Sequence, residues 1–144
     1  MNPAPALVLP ESAYRDIDTL VLNESESAIL SGRSSTGKED PHDLARQFLQ
    51  KGVKDAVIIT LGGEGVVYAA ASGASGHVAA KRVQVVDTTA AGDTFMGGYA
   101  VERAKGTSDS SFDHERALEF ATLAASKTVE RRGAMAAIPY LREL

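Results

Sequence analysis

The chain has 144 residues, enough for one α/β domain with its own core and too few for two large ones. It is 44% hydrophobic and 24% charged, an ordinary globular composition, and it has no cysteine, which excludes a disulfide framework, a thiolate metal site and a cysteine nucleophile. The net charge of −4, with scattered lysines and arginines, leaves no electrostatic footprint for nucleic acid, and no apolar run approaches the roughly 18 residues of a membrane helix.

The opening MNPAPALVLP carries three prolines and reads as an extended connector. It has neither a basic stretch nor a long apolar run, so no signal peptide is expected and a cytoplasmic protein is. Residues 11–17 predict a short helix. The apolar run Thr19-Leu20-Val21-Leu22 predicts a buried strand ending at Asn23. Residues 25–30 predict a short helix with Ser25 as its cap. Residues 32–40 read as a polar loop.

Asp40 then caps a helix with Pro41 in its first turn; Leu44, Ala45, Phe48 and Leu49 form its apolar stripe, and Gly52 stops it. Ala56-Val57-Ile58-Ile59 predicts a central parallel strand. A glycine-rich turn, residues 61–65, leads to a strand over 66–69. Residues 72–76 read as a loop, and 77–80 with 83–86 as two short strands or one bent one. Residues 87–92 form a loop before a helix over 93–105, and 106–112 another polar loop. A long helix over 114–130 ends at Arg131-Arg132-Gly133, with basic residues at the negative end of its dipole. Strands alternating with helices predict an α/β fold with a mostly parallel sheet.

Two segments are shaped for phosphate. Gly32-Arg-Ser-Ser-Thr-Gly37-Lys38 fits G-x-x-x-x-G-K, but Glu39 stands where a P-loop needs Ser or Thr for the metal, so a polar surface loop is the better reading. Asp87-Thr-Thr-Ala-Ala-Gly92-Asp93-Thr94-Phe95 follows a predicted strand and opens a helix. Its small residues let a ligand approach N–H groups at a helix N-terminus, where the dipole favours anions. An ordinary capped helix start explains Asp93 equally well on spacing alone.

Thr60-Leu61-Gly62-Gly63-Glu64-Gly65 lies at the end of the strongest strand, where open parallel sheets bind ligands; a plain turn also accounts for its glycines. Asn23-Glu24-Ser25-Glu26 is either a cap with a charged first turn or a carboxylate pair that organises hydrated Mg²⁺. His42, His77 and His114 stand in unrelated contexts and read as packing or surface residues.

The segment from Asp87 to Phe95 resembles the second signature of the PfkB/ribokinase family of carbohydrate kinases. Asn23 to Glu26 resembles the family's N-x-x-E motif and Thr60 to Gly65 its T-L-G-x-x-G loop. Asn2-Pro-Ala-Pro-Ala6 resembles a segment typical of the ribokinases within that family. The motifs occur in family order and span nearly the whole chain.

The resemblance implies a ribokinase-like, Rossmann-like sheet with flanking helices. It implies phosphorylation of a sugar hydroxyl by ATP, D-ribose to D-ribose 5-phosphate being the expected reaction, with another sugar or nucleoside as the alternative. Asp93 would be the catalytic base that meets the sugar hydroxyl, and Ala90, Ala91 and Gly92 the anion hole. Asn23, Thr122 and the loop Thr60, Leu61, Gly62, Gly63, Glu64 and Gly65 would contact the nucleotide, beside Gly92 and Asp93. Glu26 would position Mg²⁺ through water. Asp87, Thr89, Thr128, Arg131 and Gly133 would hold a monovalent cation such as K⁺; Ala137 stands where some members offer a hydroxyl.

Family chains are roughly twice this length, which implies that residues 1–144 form the nucleotide-binding half only, the lid missing. A chain that is marginally stable or associates through an exposed sheet edge is then expected. A nucleotide-binding module without catalysis is the remaining alternative.

Overall fold

The structure, a computed structural model, describes residues 1–32, 40–106 and 112–144. The chain divides into two compact units, Met1–Gly62 with Val66–His77, and Gly63–Gly65 with Val78–Leu144. Its P-loop-like motif falls mainly on residues 33–39 and so lies outside the described residues.

In the first unit, α1 (Glu11–Tyr14) precedes β1 (Thr19–Asn23), which runs directly into α2 (Glu24–Leu30). The cap of α2 is Asn23 rather than Ser25. The Asn23 side chain accepts from the Glu26 N–H and the Glu26 carboxylate accepts from the Asn23 N–H, each at 2.8 Å, a reciprocal box that serine two residues later does not make. Helix α3 (Pro41–Gln50) starts as the sequence predicts, with the Asp40 carboxylate accepting from the His42 N–H at 2.9 Å.

Strands β2 (Ala56–Thr60), β3 (Val66–Ala70) and β4 (Ser75–Val78) complete a four-stranded sheet of order β1-β2-β3-β4. Ala56, Val57, Ile58 and Ile59 are all buried, as expected of a strand covered on both faces. β1 pairs with β2 in parallel, but β2 pairs with β3 antiparallel. The expected α/β layering is present, while the sheet is mixed rather than mostly parallel. The link through Gly62–Glu64 is a single 3₁₀ turn, far too short for the crossover that a parallel neighbour requires.

Tyr14, Leu20, Leu22, Leu30, Phe48, Val57 and Ile59 form the core of this unit. Each such side chain contributes about 1.5–3 kcal/mol on burial. The proline-rich opening is not a bare connector. The Met1 amino group donates to the Thr19 carbonyl at 2.6 Å, the Val21 N–H donates to the Met1 carbonyl at 2.9 Å, and Asn2 Nδ2 donates to the Val21 carbonyl at 3.0 Å. The outer edge of β1 is therefore occupied from Thr19 to Val21.

β4 begins at Ser75, inside the predicted loop, and residues 83–86 form no strand. In the second unit, the Val86 and Asp87 N–H groups both donate to the Val129 carbonyl, at 2.8 and 3.2 Å. One shared acceptor ties this stretch down without a ladder. Helix α4 (Ala91–Lys105) packs along α5 (His114–Val129), burying Phe95 and Tyr99 with Ala117, Leu118, Ala121 and Ala124. At Gly98 a Cβ would lie 3.0 Å from Ala121 Cα, so small residues set the closeness of this pair. His114 is buried, with Nδ1 3.0 Å from the Tyr99 hydroxyl, the packing role expected of it.

Candidate functional site

The predicted site residues fall into one cluster in each unit. In the first, the parallel register sets Asn23 opposite Thr60, so two motifs distant in sequence end side by side at the C-terminal ends of β1 and β2. That end of a parallel pair is where α/β sheets take ligands. The Thr60 hydroxyl donates to the Leu22 carbonyl at 3.4 Å. Leu61 and exposed Gly62 follow, Gly62 with φ +55° to turn the chain. Glu26 uses Oε2 in the capping box, which leaves Oε1 outside it.

In the second unit, exposed Gly63 and Glu64 lead to buried Gly65. Gly65 has φ +104°, and a Cβ there would fall 2.1 Å from the Val78 carbonyl oxygen, so this turn is written for glycine alone.

Helix α4 begins at Ala91, two residues earlier than the periodicity predicts, because Ala90 turns the chain in the left-handed region (φ 62°, ψ 8°). Such a conformation costs a non-glycine residue about 1–3 kcal/mol. Ala90→Gly is therefore expected to leave the melting temperature unchanged or raised, while Ala90→Val lowers stability by about 2 kcal/mol, as read by thermal melts.

The first N–H groups of a helix lack intrahelical partners. Here the Ala91 N–H already donates to the Thr88 carbonyl at 3.2 Å. Among the described residues, no acceptor is bonded to the N–H groups of Ala90, Gly92 and Asp93. Of the expected anion-hole residues, Ala90 and Gly92 thus keep N–H groups without an acceptor among the described residues, as does Asp93, while the Ala91 N–H is bonded within the turn. The Asp93 side chain is exposed in the same first turn.

Asp87 anchors the loop. Oδ1 accepts from the Thr89 hydroxyl at 2.6 Å and the Thr89 N–H at 2.9 Å, and Oδ2 accepts from the Gly133 N–H at 3.0 Å. The Thr89 hydroxyl above all, then the Gly133 and Thr89 N–H groups, hold the carboxyl at a pKa of about 2 against its ordinary 3.8. A depressed folded value means that this anchoring is present above about 3.8 and lost as the pH falls through about 2. Thr89→Val should move the Asp87 titration back toward its ordinary value, as followed by carboxyl NMR shifts.

The remaining predicted residues lie on or after α5. Thr122 is buried, and its Oγ1 has no hydrogen-bond partner among the described residues. The Thr128 hydroxyl, fully buried, lies 2.9 Å from Thr94 Oγ1 and 3.2 Å from the Ala124 carbonyl. Arg131 donates to Glu143 at 2.5 Å. The Thr89 and Thr128 hydroxyls thus use their hydrogens within the protein, while their oxygens keep lone pairs beside the backbone carbonyls and the Asp87 carboxylate. Among the described residues, no group of three or more His, Asp or Glu side chains could hold a metal ion, and no helix is long and apolar enough to cross a membrane. The resemblance already grouped Asp87 with Gly133, whose N–H donates to the Asp87 carboxylate, whereas the Thr94–Thr128 contact carries no sequence signal, because it joins residues far apart in the chain.

The sequence matches the profile of the pfkB family carbohydrate kinases over residues 1–141. It is 43% identical to the ribokinase of Staphylococcus aureus over 144 residues, all of this chain and 45% of that protein. The crystal structure of a ribokinase from Thermotoga maritima superposes with a TM-score of 0.84 at 36% identity, covering 99% of this chain and 46% of that one. A ribokinase of Arabidopsis thaliana complexed with ribose and ATP superposes with a TM-score of 0.77 at 32% identity, covering 90% of this chain and 40% of that one. Other relatives are a deoxyribokinase of Salmonella typhi, 33% identical over 99% of this chain, and a pseudouridine kinase of Escherichia coli, 36% identical over 67% of it. The chain spans about 45% of the length of the ribokinase relative from Staphylococcus aureus.

Proposed function

The chain belongs to the pfkB family of carbohydrate kinases, and on that premise we propose that residues 1–144 are the nucleotide-binding, base-bearing part of an enzyme that phosphorylates a sugar hydroxyl with ATP. The observation that carries this is the start of α4: a left-handed Ala90, uncommitted N–H groups at Ala90, Gly92 and Asp93, and an exposed carboxylate on Asp93. D-Ribose, going to D-ribose 5-phosphate, is the proposed substrate. Support comes from the ribokinase relatives and from Asn2-Pro-Ala-Pro-Ala6. The deoxyribokinase and pseudouridine kinase relatives favour a second reading, in which the sugar is a deoxypentose or part of a nucleoside.

In this reading Asp93 accepts the proton of the hydroxyl while its oxygen bonds to the γ-phosphorus and the bond to the ADP leaving group breaks. The N–H dipoles of Ala90, Gly92 and Asp93 would face the charge that spreads over the transferred phosphoryl oxygens. Asn23, Thr122 and residues 60–65 would contact the nucleotide. Bound Mg²⁺ would neutralise phosphate charge, with Glu26 holding it through water. One free carboxylate oxygen suits an ion that keeps most of its own waters. Asp87, Thr89, Thr128, Arg131 and Gly133 would hold K⁺, mainly through carbonyls.

The test exchanges this chain for the aligned segment of the Staphylococcus aureus ribokinase and follows ADP formation with and without ribose. Ribose-dependent ADP formation is expected. A chimera that folds and binds ATP but forms no ADP with ribose, 2-deoxyribose or a nucleoside overturns the kinase reading in favour of a binding module. In the same protein, Glu26→Gln keeps the capping box and is expected to raise the Mg²⁺ concentration needed for half-maximal rate, with the melting temperature unchanged.

A further inference from the structure

The loop that carries the proposed base is held at both of its ends by one short stretch of chain. Ahead of it, Asp87 Oδ2 accepts from the Gly133 N–H at 3.0 Å. Behind it, Thr94 meets Thr128 at 2.9 Å between hydroxyl oxygens. Both anchors lie in the stretch 128–133, at the C-terminal end of α5. The other bonds of residues 88–93 run within the loop itself, from Thr89 to Asp87, Ala91 to Thr88 and Thr94 to Ala90. Asp93 and Gly92 are exposed and have no packing of their own.

The Thr94–Thr128 contact is also unusual in kind. Thr128 is fully buried and Thr94 is 6% exposed. A valine at either position would fill the same volume. The Thr128 hydroxyl has the Ala124 carbonyl as a second partner, whereas loss of Thr128 leaves the Thr94 oxygen buried without this contact. What the hydroxyl pair adds over an apolar pair is direction: an oxygen-to-oxygen contact fixes the rotation of the first turn of α4 about its axis, which apolar packing leaves soft. Thr94 immediately follows Asp93, and its own N–H donates to the Ala90 carbonyl at 2.9 Å, so the same residue closes the left-handed turn.

We propose that Thr128 is a positioning residue for the proposed phosphoryl transfer: through its hydroxyl contact with Thr94 it sets the orientation of the turn that bears Asp93 and the N–H groups of Ala90 and Gly92. This rests on the kinase reading above. Displacing a reacting group by about 1 Å costs on the order of a hundredfold in rate, so a loosened turn should act on kcat rather than on nucleotide affinity.

The experiment compares Thr128→Val, Thr128→Ser and Tyr99→Phe in the ribokinase chimera, assayed well below the melting temperature of each. Valine keeps the backbone carbonyl offered to K⁺ and removes only the hydroxyl; serine keeps both. Tyr99→Phe removes another buried contact between the same two helices, the one to His114, further along α4. Thr128→Val is expected to lower kcat about ten- to a hundredfold with the KM for ATP nearly unchanged. Thr128→Ser should restore most of the rate, and Tyr99→Phe should not lower it. In the 144-residue chain, the amides of Ala91 and Thr94 should exchange faster in Thr128→Val and not in Tyr99→Phe. Equal loss of kcat in Thr128→Val and Tyr99→Phe, or unchanged kcat in Thr128→Val, overturns the proposal. A folded, ATP-binding chimera that forms no ADP fails the kinase reading itself; where the chimera is active, Asp93→Asn is inactive and Thr128→Val keeps its kcat, only the positioning role fails.

Discussion

Asp93→Asn is expected to slow ribose-dependent ADP formation by about two to four orders of magnitude, while the affinity for ATP changes only a few-fold. The two quantities separate because they draw on different groups. The carboxylate is needed to take the hydroxyl proton as the new bond to phosphorus forms. Asparagine is the same size and keeps the backbone N–H, so the helix start and its donors persist. Its amide simply has no site at which to hold the proton. Exposure of Asp93 in the first turn of α4 means that the substitution opens no cavity and should leave the melting temperature within a degree or two. Turnover close to that of the unsubstituted protein would remove Asp93 from the chemistry. Loss of ATP binding along with turnover would make it a nucleotide contact instead.

Gly65→Ala is expected to lower stability by about 4 kcal/mol. Two costs add. The residue sits at φ +104°, where an L side chain is strained, and its Cβ would fall 2.1 Å from the Val78 carbonyl oxygen and 2.7 Å from the Ala80 nitrogen. Those neighbours are backbone, so no rotamer change relieves the clash and the chain itself must move. Gly63→Ala, three residues past Thr60 in the same turn, has open space around it and no positive φ, and should be nearly neutral. Chemical denaturation of both variants measures the contrast. Similar midpoints for the two would mean that the turn is free to rearrange.

The contrast marks what short-range patterning reveals. Asp40 and Pro41 announce α3 because capping involves only neighbouring residues. The unbroken run Ala56–Thr60 announces β2 because a strand covered on both faces is apolar throughout. The reading of residues 83–86 as strand failed because valines satisfy strand propensity, and yet pairing requires a partner edge. Val85 and Val86 instead lie exposed, with the Val86 N–H donating to the Val129 carbonyl. Asn23 and Ser25 can both cap by residue type, and the end of β1 at Asn23 makes Asn23 the cap of α2.

By itself the sequence determined the α/β class, the kinase family and the three segments that carry the proposed chemistry, because each of these is written in residues that lie within a few positions of one another. Only the tertiary structure decided that Asn23 stands opposite Thr60, that Ala90 turns left-handed and that the Ala91 N–H is already committed. It alone also decided that Asp87 and Thr94 are held from the end of α5. Such contacts join residues that are remote along the chain. They depend on strand register and helix packing, which many sequences could satisfy equally well, and no local pattern encodes them.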